Sequence, residues 1–539
     1  MVSTTASPIP PATRARTLPA SRPPDARTIL AAGRNTWRQV PTEASGVIVD
    51  AADYYRAFYA AAARARRYIL VSGWQFDRGV QLLRGTHAVG LGARVKLVKF
   101  LDHLCERTPS LRVYLLAWNF NMVFAMEREW MQRLWFHYAT NERMIFRFDD
   151  AEANSACHHQ KFAVIDGVQS FVGGIDLCEA RWDERDHRSV NLLRKSRGQL
   201  VKPYHDLQAY LSGSVAGAAL RDLFVDRWDR SGGRDPIHPI VLQDPAAPTD
   251  GDPEPGPAAP TVPQVAFGPA EVAIARTDPR SKDDTIREVE HLFVDAIAAA
   301  DRLIYIETQY FSSTRIRKAL LERMRAADRP SLQIVIVVNE RAEAFKEEIA
   351  VGLRQAKNIE RLRQVAGRTG HALGVYFSLS DGQGEAQRST YIHSKLMAVD
   401  DRFLTVGSAN LTNRSMEVDS ELHVAWESDE RSPRLARAIR RLRVSLLAEH
   451  AGLGGPAAIR PLVAIDGLVE RLNQVAGADG ARLKIHGPPR PGQQTAMAMI
   501  DPEDLPFDPS RAQFPDGEAE PDEDEDEDDT HEAMSEQGG

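Results

Sequence analysis

His159-Gln-Lys161-Phe-Ala-Val-Ile-Asp166 and His393-Ser-Lys395-Leu-Met-Ala-Val-Asp400 are two copies of one pattern, H-x-K-x4-D, set 234 positions apart. A single copy would arise by chance in roughly 5–10% of chains this long, so one alone says little. Here the agreement continues downstream. Gly173 and Gly407 each follow the motif Asp by seven residues, Gly174 matches Ser408, and Asp176 matches Asn410. In extended backbone, residues i and i+2 share a face, so each His and Lys project together. The apolar runs after them are suited to buried strands that hold the pair rigid. The small pairs Gly173-Gly174 and Gly407-Ser408 are read as places where backbone can approach a ligand closely.

The repeat extends upstream of the motif. Tyr68–Trp74, Pro109–Ala117 and Met144–Phe148 precede the first copy; Leu303–Thr308, Pro330–Val338 and Gly374–Leu379 precede the second. Each short apolar run is predicted to be a buried strand. Helical patterns, such as Asp50–Arg66 and Asp284–Ala300, lie between them. Strands alternating with helices predict α/β layering. The expected fold is two pseudo-twofold-related lobes, each a mixed sheet flanked by helices, packed as one body.

The expected organisation is a disordered N-terminal arm over residues 1–45, a first lobe over 46–235 and a Pro-rich linker over 236–265. A second lobe over 266–450, a C-terminal extension over 451–500 and an acidic disordered tail over 501–539 follow. Seven prolines within 244–263 mark the linker. The tail carries 17 acidic residues and one Arg, so the net charge of −8 divides into −16 for residues 501–539 and +8 for the rest. A mildly basic body suits an anionic substrate. A nuclease would want a stronger basic groove with stacking aromatics. No apolar run reaches the length needed to span a bilayer, and the Arg-containing N-terminus lacks a signal-peptide core. The three cysteines, Cys105, Cys157 and Cys178, make no disulfide framework. Cys157 lies two residues before His159 and is read as a small apolar residue rather than a nucleophile.

The expected catalytic constellation is His159, Lys161, Asp166, His393, Lys395 and Asp400, brought to one place by the twofold. A neutral imidazole can attack phosphorus, and a second, protonated one can supply the leaving group's proton. Two lysines and the Asn410 amide can stabilise the non-bridging oxygens. Nothing in the motifs resembles the clustered carboxylates of a two-metal site, so no metal and no cofactor is expected. Asp166 and Asp400 are assigned structural places. Trp74 and Trp118 end predicted strands on the ligand side, where core packing is an equal alternative, and the aromatic stretch Trp130–Tyr138 is read first as ordinary helix packing, with contact at a lipid interface as the alternative.

These residues resemble the phospholipase D superfamily, whose signature is the duplicated H-x-K-x4-D motif. His158-His-Gln-Lys161, Val172-Gly-Gly-Ile-Asp-Leu-Cys178 and Arg181-Trp-Asp183 are similar to the first motif region of eukaryotic-type phospholipases D. Ile304–Phe311, Tyr391–Lys395, Gly407–Ser415 and Asp419–Glu421 are similar to the tracts around the second. The resemblance covers about residues 50 to 450. It implies that His159 is the nucleophile and His393 the acid/base, although the sequence itself is symmetric on that point. It also implies that Lys161, Lys395 and Asn410 bind phosphate, with Ser408 and Gly174 in support. Glu421, 28 residues past His393, matches an acidic residue that orients an imidazole. The equivalent spacing after His159 falls on His187, which leaves Asp183 and Asp186 as candidates. The function implied is hydrolysis of a phosphatidylcholine-like lipid to phosphatidic acid, with transfer to alcohols. A cardiolipin synthase-type transferase and a nuclease are the enzymatic alternatives, and a lipid-binding scaffold is the non-enzymatic one. The expected setting is a monomeric, internally pseudo-dimeric cytoplasmic protein in peripheral contact with membrane, without nucleic acid; export without a cleavable signal is the alternative.

Overall fold

The computed structural model describes residues 28–118, 140–149, 156–232, 235–243, 260–281, 284–341, 351–382, 387–429 and 432–488. Among the described residues the first half supplies seven strands to the main sheet: β1 (Arg38–Val49), β2 (Tyr68–Gly73), β3 (Arg112–Trp118), β4 (Met144–Asp149), β5 (Phe162–Ile165), β6 (Gln169–Gly173) and β7 (Leu207–Ser212). The second supplies β8 (Val265–Ser281), β9 (Leu303–Glu307), β10 (Gln333–Val337), β11 (Ala372–Ser378), β12 (Leu396–Val399), β13 (Phe403–Gly407) and β14 (Glu421–Glu427). A last strand, β15 (Leu483–Ile485), adds to β11.

All of these lie in one sheet, in the order β15-β11-β10-β9-β12-β13-β14-β8-β1-β7-β6-β5-β2-β3-β4. Adding seven to each label of the first half gives the second half in mirror order, which is the pseudo-twofold expected from the repeat. β2-β3-β4 and β9-β10-β11 are parallel, and the remaining neighbours along this path are antiparallel. The halves join through β1 and β8, paired from Arg38↔Ile274 onward.

The apolar runs alternate between two cores, as a period of two requires. Tyr68 and Leu70 of β2 enter a core shared with Leu303 and Tyr305 of β9. Helices α3 (Ser214–Arg230) and α7 (Pro433–Ala451) cover that face. Ile69 and Val71 face the other side, against α1 (Ala51–Ala62) and α2 (Leu97–Arg107). Ile304 and Ile306 do the same against α4 (Glu288–Ala298), α5 (Thr314–Arg325) and α6 (Leu353–Thr369). One core drawing on both halves makes a single body.

Three expected boundaries move. Residues 28–45, expected in the arm, belong to the body: β1 is a central strand, and Ile29 is buried in the second half's core with its N–H on the Glu427 carboxylate. The first half's core continues past residue 235, because Ile237 and Val241 pack into the shared core. Much of the 451–500 extension belongs to the body, since Leu462, Leu468, Leu472 and Leu483 are buried there. The central part of the Pro-rich linker, the acidic tail and Trp130–Tyr138 lie outside the described residues.

Candidate active site

Each motif enters the site from an extended segment that leads into a short buried strand, β5 or β12. The motif Asp then closes the turn. Asp166 and Asp400 adopt left-handed backbone, φ 52° and 54°. The Asp166 carboxylate accepts the N–H groups of Arg66, Arg67 and Tyr68 at 2.8–2.9 Å. Asp400 accepts those of Asp301, Arg302 and Leu303 at 2.8 Å. These aspartates fasten the start of β2 and β9 to the motif strand.

The histidines are oriented crosswise. His159 N–H donates to Ser420 O, and its Nδ1 meets the Glu421 carboxylate at 3.0 and 3.1 Å. His393 N–H donates to His205 O, and its Nδ1 meets Asp206 Oδ2 at 2.6 Å. Each imidazole is thus held by the half that does not carry it. Both bind through Nδ1, which leaves Nε2 as the reactive nitrogen of each ring. Burial and the charges of Lys395, Arg181, Lys161 and His159 hold His393 well below its usual range. Asp206 is raised to about 7 by burial, against the pull of Lys395. Glu421 is also buried, but His159 and the Ser408 and Ser415 hydroxyls hold it below the usual carboxylate range.

The lysines share the site. Lys161 Nζ lies 3.4 Å from Asp176 Oδ2 and donates to His159 O at 3.1 Å. Lys395 Nζ donates to Gln309 Oε1 at 3.3 Å and to His393 O. Burial pushes the Lys395 ammonium down to about 7, opposed by Asp206 and Glu421 and reinforced by Lys161 and Arg181. A cation is charged below its pKa, so Lys395 is expected to lose its charge, and with it any hold on an anion, as pH rises through 7. The profile of kcat/KM, which reports the free enzyme, should fall on the alkaline side from near pH 7. In Lys395→Arg, permanently charged, that limb should move out of the pH 6–9 range even if the absolute rate is lower. An alkaline limb at the same pH in both proteins would assign it to another group.

The Gly173-Gly174 and Gly407-Ser408 pairs are explained by packing within the site rather than by approach to a ligand. A Cβ on Gly173 or Gly407 would overlap the carbonyl of Leu207 or Leu422 on the neighbouring strand. A Cβ on Gly174 would overlap the Asp206 carboxylate. The second half orients its partner imidazole with Glu421, and Ser408 Oγ donates to that carboxylate at 2.5 Å. Copying the second half into the first, Gly174→Ser should displace Asp206. We expect a loss of about 1–3 kcal/mol of stability from overpacking and a fall in kcat of tenfold or more. An unchanged kcat would show that the Asp206 position is not critical.

Asp206 is the residue that spacing missed. It lies 47 residues past His159, whereas Glu421 lies 28 past His393. A longer connection between β6 and β7 hides the match, and the usable signal is the equivalence of Asp206-Leu207 at the head of β7 with Glu421-Leu422 at the head of β14. Asp183 does not orient a catalytic imidazole. Its carboxylate is occupied by His187 Nδ1 at 3.0 Å, Arg194 Nη1 at 2.8 Å and the Tyr204 N–H at 3.0 Å. Asp186 pairs with Arg188 at the surface. His187 belongs to a buried cluster with Asp50, His205 and Glu449, and His205 reaches on to Glu307 and His450. Among the described residues these two sets have the composition and spacing to hold a metal; here His187 and His205 each lie between carboxylates, and His450 meets Glu307 through Nε2. Asp50 Oδ1 also accepts the Asp206 N–H, so the cluster braces the segment that orients His393.

Other expectations resolve similarly. The Trp74 ring stacks on Trp118 and meets His159 edge-on, with centroids 6.5 Å apart, which places Trp74 at the site. Arg181, not singled out as a site residue from sequence, acts electrostatically on Lys395, His393 and Asp206 and lies over the Tyr204 ring. Asn410 is buried, and its Oδ1 makes no hydrogen bond. Burial and nearby Asp419 raise the Cys157 thiol, which is unsuited to nucleophilic attack.

The chain is similar to several known proteins. The family model described as "Cardiolipin synthase, PLD-like domain" matches residues 293–443. The chain is 24% identical over 520 residues to phospholipase D alpha 4 of Arabidopsis thaliana, covering 75% of this chain and 64% of that one. It is 25% identical over 476 residues to phospholipase D A of Dictyostelium discoideum, covering 75% and 35%. The chain therefore spans somewhat under two thirds of the plant relative's length. Among solved structures, phosphatidylserine synthase of Haemophilus influenzae aligns over 81% of this chain and 94% of its own at 13% identity, TM-score 0.48.

Proposed function

We propose that this chain, which belongs to the phospholipase D superfamily, cleaves the distal phosphodiester of a glycerophospholipid through a phosphohistidine, releasing the head group and leaving phosphatidic acid. The observation that carries this reading is the crosswise pair: two imidazoles, each fixed through Nδ1 by the other half, beside two lysines from the matching motifs. His159 Nε2 attacks phosphorus while its Nδ1–H stays on Glu421. The bond to the head-group oxygen breaks, and His393 Nε2 gives that oxygen a proton. In the free site burial and three neighbouring cations hold His393 neutral; the bound phosphate anion offsets the cations and lets the ring carry the proton it donates. His393 then takes a proton from water, whose oxygen attacks phosphorus, and the P–N bond breaks. A primary alcohol in place of water gives transphosphatidylation. The chemistry proposed here runs on these side chains without a cofactor.

Phosphatidyl transfer to a lipid alcohol is the second reading, favoured by the family model over residues 293–443. It uses the same intermediate and differs in acceptor. Among the described residues no helix is long and apolar enough to cross a membrane, and reversible contact of a cytoplasmic protein with its lipid is part of the proposal. The test is choline release from phosphatidylcholine vesicles, with phosphatidylethanol formed when ethanol is added, run beside a plasmid-nicking assay. Choline and phosphatidylethanol without nicking support the proposal. Nicking without choline would replace it with a nuclease. Choline released together with phosphatidyl transfer to glycerol-containing lipid acceptors, and without phosphatidic acid, would favour the synthase reading.

A further inference from the structure

The longer β6–β7 connection that hides Asp206 from the spacing rule also carries an unusual surface. Val190, Leu192, Leu193 and Leu200 are exposed at 62%, 71%, 39% and 52%, four of the nine exposed large hydrophobics among the described residues. Nearby, Gly85 lies against Leu193, and Val89 is 79% exposed. Between His187 and His205 there are five basic residues and no acidic one. Exposed leucines this dense mark an interaction surface more often than an ordinary one.

The loop is built, not loose. Arg194 is buried, with its guanidinium on Asp183 Oδ1 at 2.8 Å and on the carbonyls of Arg188, Ser189 and Val201. Arg84 donates to the carbonyls of Leu193 and Lys195. Lys195-Ser196 pairs with Gln199-Leu200 across a two-residue turn in which Arg197 and Gly198 both have positive φ, 48° and 82°, a tight hairpin geometry. Asn191 Nδ2 donates to Glu184, and the Ser189 N–H to Asp381. Fixed internal bonds thus hold apolar side chains outward.

The loop's position ties it to the site. Its C-terminal end runs directly into Tyr204, His205 and Asp206, which hold His393, and Lys202 Nζ lies 4.0 Å over the Tyr391 ring, two residues before His393. The second half has no such insertion at the equivalent place.

We propose that residues 188–202 are a preformed docking loop that seats the site entrance on an anionic lipid surface. Val190, Leu192, Leu193 and Leu200 enter the interface, and Lys195 and Arg197 meet lipid phosphates. The combination of a modest apolar area with basic residues is what partitions a segment into an anionic interface without spanning it. A lipid surface is favoured over a protein partner because the loop's charge is of one sign and its exposed apolar side chains lie beside or within the basic hairpin Lys195–Leu200. This inference rests on the lipid reading of the site and deepens it.

The full chain should co-sediment with vesicles of phosphatidylcholine and phosphatidylglycerol at 4:1. Leu192→Asp with Leu200→Asp should lower partitioning at least tenfold and raise KM on vesicles. The same variant should leave kcat/KM unchanged on a soluble monomeric substrate, p-nitrophenylphosphocholine, which also reports that it is folded. Lys195→Gln with Arg197→Gln should lower partitioning on the anionic vesicles by about fivefold per charge removed and change little on pure phosphatidylcholine. As a second readout, the added emission of Leu192→Trp should be quenched by vesicles with brominated acyl chains. Undiminished partitioning of the Asp variant, or unquenched emission from the Leu192→Trp variant, would overturn the docking loop. If the wild-type chain binds vesicles through this loop yet hydrolyses neither substrate, the functional reading fails while the loop stands.

Discussion

Replacing His159 with alanine is expected to lower the rate of phosphodiester cleavage by about 10⁴-fold or more, the effect of removing a covalent nucleophile. His393→Ala should be about as severe on natural head groups, and the double variant little worse than either, because groups that act as a unit are not additive. The loss should not be one of folding. His159 is partly exposed at the site, but its removal leaves the fully buried Glu421 carboxylate without its imidazole. A cost of about 1–3 kcal/mol is expected for that group. The sign with pH can be checked. Glu421 is held low in the folded protein, so its pairing contributes stability above the ordinary carboxylate pKa and loses it as pH falls through the folded value. The gap in melting temperature between wild type and His159→Ala should therefore narrow toward pH 4. A gap that widens on acidification would contradict the pairing.

Asp206→Asn is expected to lower kcat by about 10² to 10⁴-fold with little change in KM. The carboxylate sets the tautomer of His393 and stabilises its imidazolium, and an amide of the same shape does neither reliably. The comparison that isolates this role is Asp183→Asn. Spacing alone points to Asp183, but its oxygens are spent on His187, Arg194 and the Tyr204 backbone. Asp183→Asn should cost stability while leaving kcat within a few-fold. The two variants should also separate by leaving group. With a p-nitrophenyl ester, whose departure needs no proton, the first-step defect of Asp206→Asn should shrink. Equal effects of the two variants on kcat, or a defect in Asp206→Asn that ignores the leaving group, would remove Asp206 from its place behind His393.

The two motifs and the strands around them are legible because local pattern encodes them: i and i+2 on one face, then an apolar run to bury. The downstream Gly173/Gly407 match is legible too, though not its cause, which is the approach of β7 and β14 carbonyls. The orienting carboxylates are half hidden. Glu421 stands out, but spacing within a half suggests a partner in that half, whereas the twofold delivers it across the sheet to His159. Asp206 is lost to the insertion between β6 and β7. The Asp50, His187, His205 and Glu449 cluster cannot be read at all, since its members are drawn together from widely separated positions by β1, β7 and α7. The arm boundary fails for a related reason. Arg38–Val49 opens with charged and polar residues, and only pairing with both β7 and β8 makes it a central strand.

The most direct measurement is mass spectrometry of His393→Ala quenched with a phosphatidyl-p-nitrophenol substrate. Nitrophenolate leaves without His393, but hydrolysis of the intermediate lacks its base, so a phosphatidyl adduct should accumulate on the peptide containing His159, with one equivalent of nitrophenolate released per chain. An adduct on any other residue, or steady nitrophenolate release with no adduct at all, would show that the two imidazoles do not act in turn on one phosphorus.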